Sequence, residues 1–264
     1  MHYLQAGEGK TVVMLPGAGL SAELFKFQIE DFSNRFRVIS LDKRGHGKSE
    51  KVEYGFRVSR FAKDLDDLIS YLKLDEVIII AHSLGASTAY NYIDLFGTER
   101  ISKLVIVDEP AALLINPIWN EKERQNYGAI YKAGTLHELT NSFVSDNADE
   151  LYQKIVDMMT TRHASKAQKD LILNCLDISG QAASLLYFNN ISQDYRDVMR
   201  KINVPTLLIT GTMSQIPWQS QRWMHEQIPH SKIEIFSEDE GGSHFMFVEN
   251  PGKFNKIVNS FLSE

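Results

Sequence analysis

A serine with small neighbours follows a strongly apolar segment of the chain. Residues 78–85 read IIIAHSLG, so Ala81 stands two positions before Ser83 and Gly85 stands two positions after it. A sharp turn from a strand into a helix would expose the serine hydroxyl, and bulky flanking side chains would collide with neighbouring elements. The pattern predicts a nucleophile at Ser83. The amide of Leu84, at a helix N-terminus, would stabilise negative charge on a carbonyl oxygen.

Two other segments could shape a site around this serine. Residues 15–19 read LPGAG and directly follow an apolar run. A glycine-rich loop in that position can supply a second backbone donor to an oxyanion, and the amide of Ala18 is the expected donor. Residues 42–49 read DKRGHGKS, and we expect this segment to fix a turn and to have a structural role.

A histidine near the end of the chain is the candidate general base. Residues 241–245 read GGSHF and precede the last predicted helix, which places His244 in a loop with an unusual sequence. An imidazole in such a loop can accept the proton of a serine hydroxyl. We predict structural roles for His46 and His82, and a packing role for Cys175.

These residues belong to an alternating pattern of strands and helices. Short runs rich in β-branched residues are separated by amphipathic segments, which is typical of βα units on a parallel sheet. Most runs are apolar throughout, as expected for strands that are buried on both faces. The predicted strands are Thr11–Leu15, Val38–Asp42, Val77–Ala81, Leu104–Val107, Thr206–Thr210 and Lys232–Phe236.

The alternation stops between the fourth and fifth of these strands. Residues 111–201 have helical spacing, many polar residues and no convincing strand. We interpret them as a helical cap that is inserted into a core formed by residues 1–110 and 202–264, the whole being one structural domain. The expected substrate pocket is apolar or aromatic, with lining residues from the cap and the later loops: Trp119, Tyr187, Met213, Trp218 and Phe245.

The order and spacing of these segments resemble the α/β-hydrolase superfamily over essentially the whole chain. The resemblance implies an α/β fold with a mostly parallel central sheet, flanking helices and a helical cap. It also implies that Ser83 is the nucleophile, that His244 is the base, and that the amides of Ala18 and Leu84 form the oxyanion hole. Ala81 replaces the first glycine of the family's G-x-S-x-G pattern, and Pro16 replaces the histidine that usually precedes Gly17.

The carboxylate that orients the histidine departs from the usual family position. In most members it follows the strand equivalent to Thr206–Thr210, but this chain has Ser214 where an aspartate is expected. A neutral hydroxyl cannot stabilise an imidazolium as a carboxylate does. Asp108, at the end of the preceding strand, is therefore the predicted acid, and Glu109 is the reserve candidate. This arrangement resembles lactonases of the zearalenone-hydrolysing kind.

Composition excludes several other classes of function. The formal net charge is −6 with no basic cluster, which disfavours nucleic acids and anionic membranes. No histidine, cysteine and carboxylate set has metal-ligand spacing, and no dinucleotide-binding loop follows a strand, so we expect neither a metal nor a cofactor. One cysteine and the absence of a visible secretion signal indicate a cytoplasmic protein. The sequence does not indicate the oligomeric state.

The predicted activity is hydrolysis of a small-molecule carboxylic ester or lactone through an acyl-enzyme on Ser83. Two alternatives remain. One is a ligand-sensing or partner-binding protein with weak turnover. The other is a cofactor-free oxygenase, which is disfavoured because such relatives carry a histidine where this chain has Leu84. A haloalkane dehalogenase or epoxide hydrolase would need an aspartate in place of Ser83.

Overall fold

The computed structural model describes residues 1–145 and 147–264. Its centre is a seven-stranded sheet with the order β1-β3-β2-β4-β5-β6-β7. All neighbouring strands are parallel except β1, which is antiparallel to β3 at one edge. The strands are β1 His2–Ala6, β2 Thr11–Leu15, β3 Arg37–Asp42, β4 Val77–His82, β5 Ile101–Val107, β6 Thr206–Gly211 and β7 Ser231–Phe236.

The sequence pattern missed one strand, β1. Its five residues, HYLQA, are short, partly polar and mostly half-exposed, so they lack the apolar run that marks the buried strands. Pairing with β3 is what makes this segment extended, since every residue from His2 to Ala6 has a partner there. An edge strand of this kind gives a weak local signal because only one side of it is paired.

Helices cover both faces of the sheet. They are α1 Lys26–Phe32, α2 Val58–Tyr71, α3 Leu84–Phe96, α4 Glu121–Tyr127, α5 Ala133–Ser142, α6 Ala148–Met159, α7 Lys166–Asn174, α8 Gly180–Ile191, α9 Trp218–Gln227, α10 Met246–Glu249 and α11 Pro251–Ser263. Within the part of the chain that is described, none of the helices has both the length and the apolar character needed to cross a membrane.

Alternate residues of each central strand point into two separate cores. In β2, Val13 and Leu15 join the cluster that contains α2 and α3, while Val12 and Met14 join the cluster that contains α1 and α11. A strand that is buried on both faces must be apolar at every position, which explains the continuous apolar runs of the sequence. The fold is the α/β-hydrolase fold that the resemblance implied.

The segment between β5 and β6 is helical, as predicted. It contributes α4 to α8, of which α5 packs on α8 and α6 packs on α7. Among its described residues the only extended pairing is by isolated bridges, such as Leu20 with Leu176 and Ala112 with Asp194. These helices form a cap region, and the boundaries 111 and 201 stay a prediction.

Gly85 allows α3 to lie directly against β2. A Cβ atom at this position would come 2.0 Å from the main-chain oxygen of Leu15. Backbone cannot move aside as a flexible side chain can, so the tight approach needs a glycine. By contrast, Gly134 in α5 has no neighbour within 4 Å of the position that its Cβ would take.

These two glycines give a matched test of the fold. We expect Gly85→Ala to lower the free energy of unfolding by about 3 kcal/mol or more, because the new methyl group overlaps fixed backbone. We expect Gly134→Ala to leave it unchanged or raise it by up to about 1 kcal/mol, because alanine is the better helix former. Urea unfolding followed by circular dichroism measures both values. A Gly85→Ala protein as stable as Gly134→Ala would contradict the close packing of α3 on β2.

Candidate active site

Ser83 occupies a sharp turn between β4 and α3. Its backbone angles are φ 53° and ψ −130°, a left-handed conformation that residues other than glycine rarely adopt. The Ser83 amide donates to the main-chain oxygen of Val107 at 3.0 Å, and α3 begins at Leu84. The strained turn that was predicted from the small flanking residues is present.

Asp108 directly follows β5, as Ser83 directly follows the adjacent strand β4. His82 at the end of β4 is paired with Val107 at the end of β5, so Ser83 and Asp108 are each one residue beyond the pairing. Asp108 also has φ 53°, and its amide donates to the main-chain oxygen of Ile209 at 2.8 Å. Strained backbone at two adjacent strand ends marks this edge of the sheet as a candidate site.

The Asp108 carboxylate is fully buried and is paired with His244. The Nδ1–H of His244 donates to Oδ2 of Asp108 at 2.6 Å. Thr210 donates its hydroxyl to Oδ1 at 2.7 Å, and the hydroxyl of Ser214 donates to Oδ2. Ser214 in turn accepts from the amide of Ile216 at 3.0 Å. The hydroxyl at the family's usual acid position is therefore hydrogen-bonded to the carboxylate of Asp108.

Two hydrogen bonds position the His244 backbone. Its amide donates to the main-chain oxygen of Met159 at 3.2 Å, at the end of α6. Its carbonyl accepts from Nε2 of the fully buried His82 at 3.0 Å, and the two rings lie 4.5 Å apart. Burial, and next the charge of His244, lowers the pKa of His82 well below its usual value, so His82 is neutral. The next side chain, Phe245, is buried against the His82 ring.

Ser83 and His244 line one cavity beneath the cap. Of the other predicted residues, Ala18, Tyr187 and Phe245 also line it. The rest of the wall is mostly apolar and combines core and cap residues: Leu20, Leu113, Ile155, Val156, Met159, Ile172, Leu176, Ile191 and Ile216. A ligand in this cavity would lie beside the serine and the histidine and would contact mainly apolar side chains.

Three predicted pocket residues lie outside this cavity. Trp119 contacts Tyr127 edge to face, and Arg196 lies over the Trp119 ring, in a separate cluster of the cap. Trp218 is the first residue of α9, and the guanidinium group of Arg222 lies over its ring. Met213 is 45% exposed on the surface. Aromatic composition does not distinguish a cavity wall from other packing, which is why the expectation was not met for these residues.

Two backbone amides near Ser83 are available to an oxyanion. Within the described residues, neither Ala18 nor Leu84 donates its amide hydrogen to a protein acceptor. The loop that carries Ala18 runs very close to the serine, since a Cβ on Gly17 would lie 3.1 Å from the Cβ of Ser83. Backbone amides without a protein acceptor are groups that can stabilise negative charge on a ligand oxygen.

A buried lysine holds this loop in place. The ammonium group of Lys43 donates to the main-chain oxygens of Pro16 and Gly17 at 2.8 and 2.9 Å. His46, also buried, accepts from the amide of Gly19 at 3.1 Å. Burial lowers the pKa of Lys43 to about 7, although the nearby charge of Asp42 acts in the opposite direction.

Glu109, the reserve acid, has different partners. Its Oε1 accepts from the hydroxyl of Ser87 at 2.7 Å and from the amide of Asn190 at 3.4 Å. Within the described residues it makes no hydrogen bond to His244, although it lines the same cavity. Burial, and not a charged neighbour, is the main reason why its pKa is raised to about 7.

Several residues of the site were not found from the sequence. Lys43, Thr210 and Asn190 act through contacts with residues that are distant in the chain, and a lone lysine, threonine or asparagine carries no local signal. Lys43 lies inside the 42–49 segment, whose structural role was predicted without this contact.

Comparisons with known proteins identify the family. A family model for the alpha/beta hydrolase fold matches residues 10–251, and the chain belongs to this family. A 2-hydroxy-6-oxononadienedioate/2-hydroxy-6-oxononatrienedioate hydrolase of Pseudomonas putida is 30% identical over 286 residues, covering 100% of this chain and 92% of that protein.

Two solved structures have closely similar folds. A bromoperoxidase from Bacillus anthracis has a TM-score of 0.89 at 25% identity, covering 99% of this chain and 95% of its own. An esterase from Exiguobacterium antarcticum has the same TM-score and identity, covering 100% and 95%. The chain is thus related to esterases and to non-heme haloperoxidases.

The buried lysine predicts a specific pH dependence of stability. The folded pKa of Lys43 is below that of the unfolded chain, so the unfolded state binds more protons between about pH 7 and pH 10. The contribution of Lys43 to stability should rise with pH over this range, by up to about 1.4 kcal/mol per pH unit. We expect the difference in free energy of unfolding between wild type and Lys43→Met to show this rise.

Urea titrations at several pH values measure that difference. Lys256→Met, at an exposed lysine, is the control and should follow the wild-type curve. If the difference in free energy of unfolding between wild type and Lys43→Met did not change with pH over this range, the result would contradict the lowered pKa of Lys43.

Proposed function

We propose that this protein is a serine hydrolase that cleaves a carboxylic ester or lactone through an acyl-enzyme on Ser83. The observation that carries the proposal is the buried hydrogen bond between His244 and Asp108, at 2.6 Å, together with the position of His244 in the same cavity wall as the strained serine. Relatives that are named esterase and hydrolase support the reaction class.

The contacts around Ser83 suggest the role of each group. The Ser83 hydroxyl attacks the carbonyl carbon, and Nε2 of His244 accepts its proton. The amides of Ala18 and Leu84 stabilise the oxyanion, and the alcohol leaves with the proton from His244. Water then attacks the acyl-enzyme, again with His244 as base, which releases the acid and restores the serine.

Asp108 is the proposed orienting carboxylate. Its Oδ2 accepts from Nδ1 of His244, which leaves Nε2 free to face the serine hydroxyl and stabilises the imidazolium that forms. We propose that the acid follows β5, as in the zearalenone-type lactonases, and that residues 111–201 act as the cap over the substrate. The apolar wall favours an ester or lactone with an apolar group next to the reacting carbonyl.

A covalent probe tests the nucleophile. We expect a fluorophosphonate to label Ser83, because the adduct forms at a hydroxyl that is activated by a neighbouring base. Ser83→Ala should abolish labelling, and Ser83→Ala or His244→Ala should reduce ester turnover by about 10³–10⁶-fold. Peptide mass spectrometry locates the adduct, and p-nitrophenyl esters report turnover. A folded protein without an adduct at Ser83 would favour a ligand-binding role instead.

The orienting acid is tested by two single variants. Asp108→Asn should reduce kcat by about 10²–10⁴-fold, because the amide cannot hold the required His244 tautomer or stabilise its charge. Ser214→Ala should reduce kcat by less than about tenfold, because it removes only one hydrogen bond to the carboxylate. Circular dichroism confirms that each protein is folded.

The double variant gives a further check of the geometry. Since the Ser214 hydroxyl contacts the same oxygen of Asp108 as His244 does, Ser214→Asp in the Asp108→Asn background should restore part of the lost rate. Near wild-type turnover in Asp108→Asn alone would overturn the assignment of Asp108.

A further inference from the structure

The cavity wall contains a buried carboxyl group, that of Glu109, which the proposed mechanism does not use. Glu109 is 3% exposed, and its main-chain oxygen accepts from Tyr90 at 3.1 Å and from Gln221 at 2.9 Å. Its side chain is held at Oε1 by Ser87 and Asn190. The carboxyl group is therefore fixed in position on the wall of the cavity.

Two polar atoms of this cluster are left for a ligand. Oδ1 of Asn190 is buried and has no hydrogen-bond partner among the described residues, and Asn190 itself is 8% exposed. Oε2 of Glu109 likewise has no hydrogen bond to any described residue. Both residues line the cavity that contains Ser83 and His244. A buried polar atom without a partner is costly, and a bound ligand group would remove that cost.

The charge of the cluster restricts the ligand. Glu109 forms no ion pair with a described lysine or arginine, and no residue of either type lines this cavity. Burial keeps the pKa of Glu109 near 7, so at and below neutral pH a large share of the carboxyl groups carry a proton that can be donated. The cluster then offers one donor at Glu109 and one acceptor at Asn190, in a wall that is otherwise mostly apolar.

We propose that Glu109 and Asn190 form a polar subsite that binds a neutral hydroxyl or carboxamide group of the substrate, apart from the carbonyl that Ser83 attacks. A carboxamide fits both positions, since its oxygen accepts from Glu109 and its N–H donates to Asn190. An anionic group is disfavoured because no lysine or arginine among the described residues lines the cavity. The inference rests on the proposed function for the identity of the reaction, but the subsite itself can be tested by binding.

Matched substrates test the subsite in the active enzyme. The probes are a medium-chain p-nitrophenyl ester and its analogues with a terminal hydroxyl, carboxamide or ammonium group. We expect wild type to prefer the hydroxyl or carboxamide analogue over the plain ester by at least about tenfold in kcat/KM, since a site that is built for a polar group rejects ligands that lack it. Equal rates for all analogues, or a preference for the ammonium analogue, would overturn the proposal.

Variants distinguish recognition from a purely structural role. Asn190→Leu and Glu109→Met should each bring the ratio of kcat/KM for the polar analogue to kcat/KM for the plain ester close to one. Glu109→Gln, which keeps a donor, should retain part of this preference. Asn189→Leu is the matched control, because the neighbouring Asn189 accepts from the amide of Val58 and does not line this cavity. The preference is a ratio within one protein, so a loss of stability alone does not change it. An unchanged ratio in Asn190→Leu would overturn the subsite.

Binding to an inactive protein separates this inference from the proposed function. Isothermal titration calorimetry of hexanamide with Ser83→Ala needs no turnover, and we expect Asn190→Leu in that background to weaken binding by at least about tenfold. If esters are hydrolysed but this change has no effect, the subsite fails and the proposed function stands. If no ester is hydrolysed but hexanamide binding depends on Asn190, the subsite stands and the proposed function fails.

Discussion

A carboxylate without access to water is the main electrostatic constraint on this structure. Asp108 is fully buried, and a buried charge is tolerated only when it is paired and hydrogen-bonded. The protein meets this requirement with Thr210 and Ser214, from β6 and the turn that follows it, and with His244, from a loop near the end of the chain. Each of these contacts also fixes the position of a group at the carboxyl end of the sheet. The side chain of Asp108 therefore holds together the ends of β5 and β6 and the loop that carries His244.

The cap and the His244 loop are joined by a second carboxylate. Glu249 in α10 accepts from the hydroxyl of Ser243, and from both the amide and the hydroxyl of Thr161 just beyond α6. Met159, at the end of the same helix, accepts from the amide of His244. The cap is thus anchored to the loop that carries the proposed base. A displacement of this end of α6 would be transmitted directly to His244.

Neighbouring residues in one short segment of β5 and its following loop have separate roles. Asp108 is hydrogen-bonded to His244, whereas Glu109 lines the cavity and is hydrogen-bonded to Ser87 and Asn190. The two carboxyl groups differ in their hydrogen-bond partners: Asp108 has a histidine and two hydroxyl groups, and Glu109 has a hydroxyl group and an amide. Adjacent acids in different environments can serve different uses.

Much of the fold was determined by local sequence. The continuous apolar runs predicted six of the seven strands, and the small residues around Ser83 predicted the strained turn, because both features depend on a few neighbouring residues. The absence of a carboxylate at position 214 likewise predicts Asp108 as the orienting acid. What the sequence could not determine is which distant side chains meet, as with Lys43 at the Ala18 loop or Asn190 beside Glu109.

The same limit explains why only some of the predicted pocket residues line the cavity. Tyr187 and Phe245 line the cavity while Trp119, Met213 and Trp218 do not, although all five have the composition of a pocket wall. Helical spacing defines one apolar face, but the angle at which each cap helix lies on the core determines what that face covers. Those angles arise from packing between elements that are far apart in the chain. The sequence therefore determined the chemistry that is available, and only the tertiary structure decided which groups share a cavity.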